Sequence, residues 1–246
     1  AERQAGGVAQ PRQAPRQTEE GALAPGERVY GFARGAYAEF ATARVDEIAA
    51  LPDTVAFDTA AALPTPGLTA LQIVREAGVG EGKKVLIHGA AGSVGALVVQ
   101  LALHKGAHVT ATALGRDMDY LSQLGVQSAI DNQAERFESA VGPVEVIIDL
   151  VGGGLQRRSY AVLRRGGVLA SSVGIEDAGA AESHGVRTVA FFMQRNAADL
   201  VEVAHMVATG ALKLRIARVL PFAEARQAQD LSQHGHAAGK ILLQVA

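Results

Sequence analysis

The chain has 246 residues, enough to bury one large hydrophobic core or two modest ones. Its net charge is −2 and its lysine and arginine residues are scattered, so no basic stripe points to nucleic acid. It has no cysteine, which excludes disulfide bonds and zinc sites with cysteine ligands. No apolar segment approaches the roughly 20 residues that span a bilayer, and no signal peptide is recognisable, so we expect a cytoplasmic protein that does not bind membranes.

The first part of the chain is predicted to contain a leader and a β-rich unit. Residues 1–23 are rich in Gln, Arg, Pro, Gly and Glu and offer little to bury, which predicts a disordered leader. Turn residues then introduce a β-rich unit over residues 24–66. The predicted elements are strands at 29–32 and 36–41 and helices at 58–63 and 68–77, the helices being separated by Pro64-Thr65-Pro66-Gly67.

Residues 84–96 are the most informative segment, because they predict a buried strand, a glycine-rich turn and the start of a helix. The turn carries the pattern Gly89-x-x-Gly92-x-x-Gly95. Such glycines let the backbone approach the phosphates of a dinucleotide and let the helix pack on the strand, while the helix N-terminus attracts an anion. The alternative is a plain tight turn in an α/β domain, but the strand before it and the helix after it favour nucleotide binding.

Strands and helices continue to alternate after this segment. The predicted strands lie at 108–113, 128–130, 144–150, 168–172 and 188–192, and the predicted helices near 118–124, 134–140 and 155–163. This alternation predicts an α/β fold with a doubly wound parallel Rossmann sheet over residues 67–211. The tail is predicted to contain helices at 197–209 and 223–233 and strands at 215–220 and 240–245. Residues 212–246 would then join residues 24–66 in one small domain, with the Rossmann unit inserted between them.

The end of the second Rossmann strand bears on the choice of cofactor. NAD-binding sheets of this type carry a carboxylate there, which bonds the ribose 2′-OH. Here the strand end is followed by Arg116, and the first acid is Asp117. A guanidinium group suits a 2′-phosphate, so we favour NADP over NAD. Arg116 could instead be a solvated loop residue, and Tyr120 could either contact the adenine side of the cofactor or simply cover the core.

Several separate segments resemble the medium-chain dehydrogenase/reductase superfamily, in its zinc-free quinone oxidoreductase branch with ζ-crystallin and the enone reductases. Their order and spacing from about residue 24 to the end make a chance resemblance improbable. The segments are APGERVYG at 24–31, GAYAEF at 35–40, AAALP at 60–64, GLTA at 67–70, VLIHGAAGSVGALVVQ at 85–100, DLVGG at 149–153, LRRGG at 163–167 and GKILL at 239–243.

The resemblance implies hydride transfer from NADPH to a quinone or to an α,β-unsaturated carbonyl compound (an enone or enal), and a possible homodimer. It implies that the β-rich unit belongs to a GroES-like substrate domain. By resemblance, the pyrophosphate would contact Gly92, Ser93, Val94 and Gly95, and the 2′-phosphate ribose would contact Thr112, Gly115 and Arg116. The cleft and the nicotinamide would be approached by Thr69, Val151, Gly152, Val173, Gly174, Ile175, Phe192, Met193 and Lys240. No residue stands out as a catalytic acid or base.

The chain departs from the family before residue 24, where family members carry a longer segment that forms much of the substrate domain. We therefore expect residues 24–66 and 212–246 to be the remnant of a truncated GroES-like domain. This leaves two alternatives to an active reductase: a cofactor-binding homologue with weak or no catalysis, and a protein with an interaction or structural role.

Three histidines are candidate functional residues. His88 ends a buried strand and is expected to be a structural histidine with satisfied hydrogen bonds. His234 and His236 could contribute to a metal site, but the sequence offers no third ligand beside them, so no metal is expected.

Overall fold

The computed structural model of the chain describes residues 23–234 and 237–245. The predicted leader, apart from Leu23, lies outside the described residues, and so does His236. Two short antiparallel strands, β1 (Val29–Gly31) and β2 (Ile48–Ala50), are followed by the helices α1 (Phe57–Ala62) and α2 (Pro64–Glu76).

A sheet of six parallel strands forms the centre of the molecule. Its strands are β3 (Lys84–His88), β4 (His108–Ala113), β5 (Ser128–Asp131), β6 (Val144–Asp149), β7 (Leu163–Ser171) and β8 (Arg187–Ala190). Their spatial order is β5-β4-β3-β6-β7-β8, so the chain reverses its direction of travel across the sheet between β3 and β6. This is the Rossmann order, and it confirms the predicted α/β fold. Ligands of such sheets bind outside the carboxyl ends of the strands at the reversal point.

Helices cover both faces of this sheet. They are α3 (Ser93–His104), α4 (Met118–Gln123), α5 (Phe137–Ala140), α6 (Gly154–Ser159), α7 (Ala178–His184) and α8 (Ala197–Ala208). On β3, Val85 and Ile87 belong to the larger core, which also includes residues of α2, α3 and α8. Leu86 points to the opposite core, which includes residues of α5 and α7. Because both faces are buried, the strands read as continuous apolar runs.

The chain ends in a separate pair of strands. β9 (Ile216–Pro221) and β10 (Lys240–Gln244) pair in parallel, with α9 (Ala225–Gln233) between them in sequence. Helix α1 contacts β1 as well as β9 and β10, so segments from both ends of the described chain meet there. The division into residues 24–66 with 212–246 and residues 67–211 stays a prediction.

The strand predicted at 36–41 is wrong. This segment forms bends, and its nearest strand-like contact is the isolated bridge between Arg34 and Thr42. Tyr37 is 63% and Phe40 89% exposed, so the alternating apolar residues are not buried against a neighbouring strand.

Other predicted boundaries differ for local reasons. Pro64 does not separate two helices but begins α2, where a proline loses no helical hydrogen bond. The helix predicted at 134–140 is reduced to α5, because Asp131 organises the preceding residues into a turn by accepting the Gln133 amide hydrogen at 3.0 Å. β2 and α7 were not predicted.

Tyr30 links β1 to α8, since its buried hydroxyl donates to the backbone carbonyl of Leu200. We expect Tyr30→Phe to lower the free energy of unfolding by about 1 kcal/mol, because the bond is lost in a buried setting. Tyr37→Phe is the matched control, as this ring is exposed. Urea denaturation measures both, and equal effects of the two substitutions would contradict the assignment.

Candidate functional site

The turn between β3 and α3 is built on a close approach that only glycine permits. Gly89 has a φ of +73°, in the left-handed region. A Cβ on Gly95 would collide with the carbonyl oxygen of Gly89 and lie 2.7 Å from the Ala90 Cα atom. The first turn of α3 is therefore seated directly on the end of β3.

The N-terminus of α3 is left without a cap. Gly92 is the N-cap residue and has no side chain to bond the first amides. The first helical hydrogen bond runs from the Ala96 amide to the Gly92 carbonyl, at 2.9 Å. Within the described residues, the amides of Ser93, Val94 and Gly95 have no acceptor. Free amides and the positive end of the helix dipole together form a site for an anion.

A cleft of about 470 Å³ lies beside this helix end, at the reversal point of the sheet. It is lined by the turn after β3, the loop after β4, the ends of β5 and β6, and two residues of the tail: Gly89, Ala91, Gly92, Ala113, Leu114, Arg116, Asp117, Asn132, Leu150, Val151, Ala237 and Ala238. A larger cavity of about 730 Å³ lies between β9, α9 and β10 and is not lined by the strand ends of the central sheet. We take the smaller cleft as the candidate site, because parallel sheets of this type bind ligands at the strand ends.

An apolar wall runs from the end of β3, beside the cleft, to the end of β7; its Gly89 and Val151 line the cleft, and Gly152 and Val173 continue it outside the lining. A Cβ on Gly89 would lie 3.0 Å from Val151, and a Cβ on Gly152 would lie 3.0 Å from Val173. Val151 and Val173 are both about half exposed, which gives this wall an apolar surface. The structure thus brings three of the predicted residues together.

A buried polar network holds this wall, and the sequence analysis missed it. Asp149 is fully buried at the end of β6, and one of its oxygens accepts from the amides of Val151 and Gly152 at 2.9 and 3.0 Å. Its other oxygen accepts from the Gln156 amide at 2.7 Å and from the Ser171 hydroxyl at 3.2 Å. The available signal was a single acid at the end of an apolar strand, a position where a buried charge requires several donors.

Gln156 extends the network to the end of β7. Its side-chain amide also donates to the carbonyl of Gly174 at 2.7 Å, and its oxygen accepts from the amide of Glu176 at 3.1 Å. Gly174 is therefore held as part of the wall, while Ile175 packs against the second core.

His88 is fully buried and has partners at both ring nitrogens, as expected of a structural histidine. The Ser159 hydroxyl donates to the Leu155 carbonyl at 2.8 Å, so it accepts the hydrogen of His88 Nε2 at 3.0 Å. Nδ1 of His88 must then accept from the Thr112 hydroxyl at 2.9 Å. The neutral ring is thereby fixed in one tautomer.

Thr112 is thereby placed in the core: its side chain is buried and its hydroxyl is bonded to His88. Its predicted contact with the ribose stays a prediction.

The loop after β4 carries the charged part of the site. Arg116 is exposed, and its Nε atom lies 3.8 Å from Asp117. It borders both the cleft and a neighbouring cavity of about 540 Å³, which Ser93 and Lys240 also line. Gly115 packs against the next strand, where a Cβ would lie 2.5 Å from the Asp131 carboxylate.

Tyr120 packs against an arginine of the tail, and its predicted contact with the adenine side of the cofactor stays a prediction. The guanidinium group of Arg215 lies over its ring, with 4.7 Å between the guanidinium carbon and the ring centroid. One face of the ring is therefore occupied by a cation.

Three further predicted residues are not brought to the cleft. Thr69 is buried in α2. Phe192, which is 75% exposed, and Met193 follow β8 at the far side of the sheet. None of the three lines a cavity that also contains the α3 N-terminus.

In residues 23–234 and 237–245, no three His, Asp or Glu side chains are grouped so that they could hold a metal ion. No helix of that part of the chain is long and apolar enough to cross a membrane.

The sequence is similar to known proteins along most of its length. A family model described as "Zinc-binding dehydrogenase" matches residues 124–243. The Streptomyces orinoci protein "Spectinabilin polyketide synthase system protein NorB" is 36% identical over 236 residues, which cover 90% of this chain and 11% of that protein. The 2-methylene-furan-3-one reductase of Solanum lycopersicum is 30% identical over 90% of this chain and 58% of its own length. The chain thus spans less than two thirds of both relatives.

This chain covers a larger share of two solved structures than of these relatives. The quinone oxidoreductase from Coxiella burnetii has a TM-score of 0.84 and 34% identity, over 91% of this chain and 74% of that chain. The Escherichia coli quinone oxidoreductase complexed with NADPH has a TM-score of 0.81 and 25% identity, over 91% and 76% of the two chains.

The buried ring of His88 makes stability depend on pH. Burial lowers the pKa of His88 from 6.5 to about 4, since the charged ring would lack hydration. Between pH 6.5 and 4, His88 is protonated in the unfolded chain but stays neutral in the folded chain. The free energy of unfolding therefore falls as the pH falls through this range. Its contribution is constant above pH 6.5 and amounts to about 3 kcal/mol across the window.

Urea denaturation at several pH values tests this expectation. His88→Gln should show a weaker fall than the wild type, whereas His104→Gln, which changes an exposed histidine at the end of α3, should follow the wild type. Parallel curves for all three proteins would show that His88 does not titrate as described.

Proposed function

The chain belongs to the medium-chain dehydrogenase/reductase family, among its quinone oxidoreductases and enone reductases, and from that premise we propose that it is an NADPH-dependent reductase. Its substrates would be quinones or α,β-unsaturated carbonyl compounds. The observation that carries the proposal is the uncapped N-terminus of α3, which opens beside a cleft at the reversal point of a Rossmann sheet.

The residues of the cleft fit a dinucleotide. A Cβ at Gly95 would fill the space that lets α3 start at the turn, and the amides of Ser93, Val94 and Gly95 would receive the pyrophosphate. When bound, the cofactor supplies the hydride, and the protein positions it and excludes water. Val151 and Val173 would provide the apolar surface for this exclusion, and the Asp149 network would keep that surface in place.

Two observations support NADPH as the cofactor. The related Escherichia coli enzyme was solved with NADPH. In this chain Arg116 borders the cleft at the β4 end, where a 2′-phosphate would be recognised by a guanidinium group. Lys240, which lines the adjoining cavity with Ser93 and Arg116, would add a second positive charge near the phosphates.

Zinc is not part of the proposal, although the matching family model is described as zinc-binding. The chain has no cysteine to supply a thiolate ligand. The cytoplasmic location and the homodimer stay predictions.

A second candidate function is cofactor binding without turnover. It is favoured by the lining of the cleft, where the ionisable side chains among the described residues are Arg116 and Asp117, both at the β4 end. No acid or base of the described lining lies at its β6 end, beside the apolar wall.

Arg116→Ala tests the choice of cofactor. We expect the wild type to bind NADPH at least about tenfold more tightly than NADH, equivalent to roughly 1.4 kcal/mol, and the variant to lose most of this difference. Arg157→Ala, at an exposed arginine of α6, is the control. Dissociation constants from fluorescence titration decide the question, and equal wild-type affinities for the two cofactors would contradict the assignment.

Steady-state turnover separates the two candidate functions. We expect oxidation of NADPH with a panel of benzoquinones and trans-enals, with rates that change by less than about twofold when EDTA is added. Gly95→Ala should abolish both binding and turnover, because its Cβ displaces α3 from the turn. Tight NADPH binding without turnover on any acceptor would favour the binding-only function, and loss of activity with EDTA would show that a metal is needed.

A further inference from the structure

Arg215 brings a second guanidinium group to the loop after β4. It lies just before β9, about 100 residues from this loop in sequence, yet its guanidinium covers the ring of Tyr120 at 4.7 Å. Its Nη1 atom lies 3.6 Å from one oxygen of Asp117, while Nε of Arg116 lies 3.8 Å from the other. One carboxylate is therefore flanked by two guanidinium groups.

The Nη1 atom of Arg215 is a donor without an acceptor. It is buried, and among the described residues it makes no hydrogen bond, since its distance to Asp117 is too long for one. A buried nitrogen of a charged group without a hydrogen-bond partner costs free energy. In folded proteins such a donor is usually satisfied by a ligand, an ion or a water molecule. Tyr120 fixes the guanidinium in place, which reduces the entropy that binding would cost.

Arg215 also borders the anion site. It lines a small space shared with Gly92, Ser93 and Lys240, where the N-terminus of α3 begins. Arg215 and Arg116 line different cavities, but both lie beside Asp117, one coming from the tail of the chain and the other from the loop after β4.

We propose that Arg215, together with Arg116, binds the adenosine 2′-phosphate of NADPH and so determines the preference for the phosphorylated cofactor. This inference rests on the proposed function. A phosphate dianion has several acceptor oxygens, so it can receive Nη1 of Arg215 while it is bound by Arg116. Asp117 serves as the internal counter-ion that keeps the two guanidinium groups together when no phosphate is bound, and its negative charge opposes the phosphate.

The position of Arg215 favours the 2′-phosphate over the pyrophosphate. Tyr120 and Asp117, which contact Arg215, both follow β4, the strand whose end selects between NAD and NADP in this fold. The pyrophosphate is provided for by the free amides of α3.

The experiment compares Arg215→Gln with Arg218→Gln in the full chain. Arg218 lies three residues further on, in β9, is exposed and has no ion pair among the described residues, so it is the matched control. Dissociation constants are measured for NADPH and NADH, and for adenosine 2′,5′-bisphosphate and AMP, which differ only in the 2′-phosphate. Thermal unfolding of each variant reports on folding.

Arg215→Gln is expected to weaken the binding of NADPH and of adenosine 2′,5′-bisphosphate about tenfold. The affinities for NADH and AMP are expected to stay unchanged. Arg218→Gln is expected to change none of the four. An equal loss for all four ligands, or no loss for any, would overturn the proposal, because Arg215 would then support the pyrophosphate or only the fold.

Asp117→Asn provides a second variant, should Arg215→Gln fail to fold. Removal of the opposing charge is expected to strengthen NADPH binding about threefold and to leave NADH unchanged; weaker NADPH binding would overturn the proposed arrangement. Failure of the proposed function gives a different pattern, since the wild type would then bind neither dinucleotide or would not prefer NADPH. A wild type that prefers NADPH, with Arg215→Gln retaining the preference, overturns this inference alone.

Discussion

The seating of α3 on the turn after β3 is the contact on which the rest of the site depends. Because Gly95 has no Cβ, the first turn of the helix reaches the carbonyl of Gly89, and the free amides open at the reversal point of the sheet. A side chain at Gly95 would push the helix away from the strand and would separate the anion site from the cleft. The loop after β4 and the wall after β6 form one site only because this helix end lies between them.

The short helix α6 organises the polar groups behind the cleft. Its residues Gln156 and Ser159 are both buried, and they bond Asp149 at the end of β6 and His88 at the end of β3. These two strand ends are register neighbours in the sheet, with His88 opposite Asp149. An unpaired polar group at either position would be expensive in a buried setting, so the helix can take one position only relative to the sheet. The stability of the core and the shape of the apolar wall therefore depend on the same hydrogen bonds.

The sequence predicted those features that arise from local periodicity. The continuous apolar runs of the central strands and the helical spacing between them identified the parallel sheet. A strand that is buried on both faces gives a continuous apolar run, and a helix that is buried on one face gives apolar residues at helical spacing. The segment at 36–41 failed because alternation indicates a strand only where a neighbouring strand exists, and Tyr37 and Phe40 have none.

Part of the site was predictable because it too depends on local sequence patterns. The glycine pattern at 89–95 and Arg116 at the end of the next strand can each be recognised from a short stretch of sequence. The partners of His88 and Asp149 are contributed by other strands and by α6, and these pairings depend on strand register and on the position of α6. The hydroxyl of Thr112 is bonded to His88, 24 positions earlier in the chain, and a local sequence pattern does not show such a pair.

Asp117 shows how tertiary contacts alter the interpretation of one acid. In the sequence it follows Arg116 directly and could be taken for the carboxylate that bonds a ribose 2′-OH. In the fold its two oxygens face two different guanidinium groups, and its side chain is mostly buried between them. Two guanidinium groups beside one carboxylate leave a net positive charge at the loop after β4, although the carboxylate reduces it. Arg215, which is distant in sequence, is thereby placed beside Arg116, the residue that we propose for the 2′-phosphate.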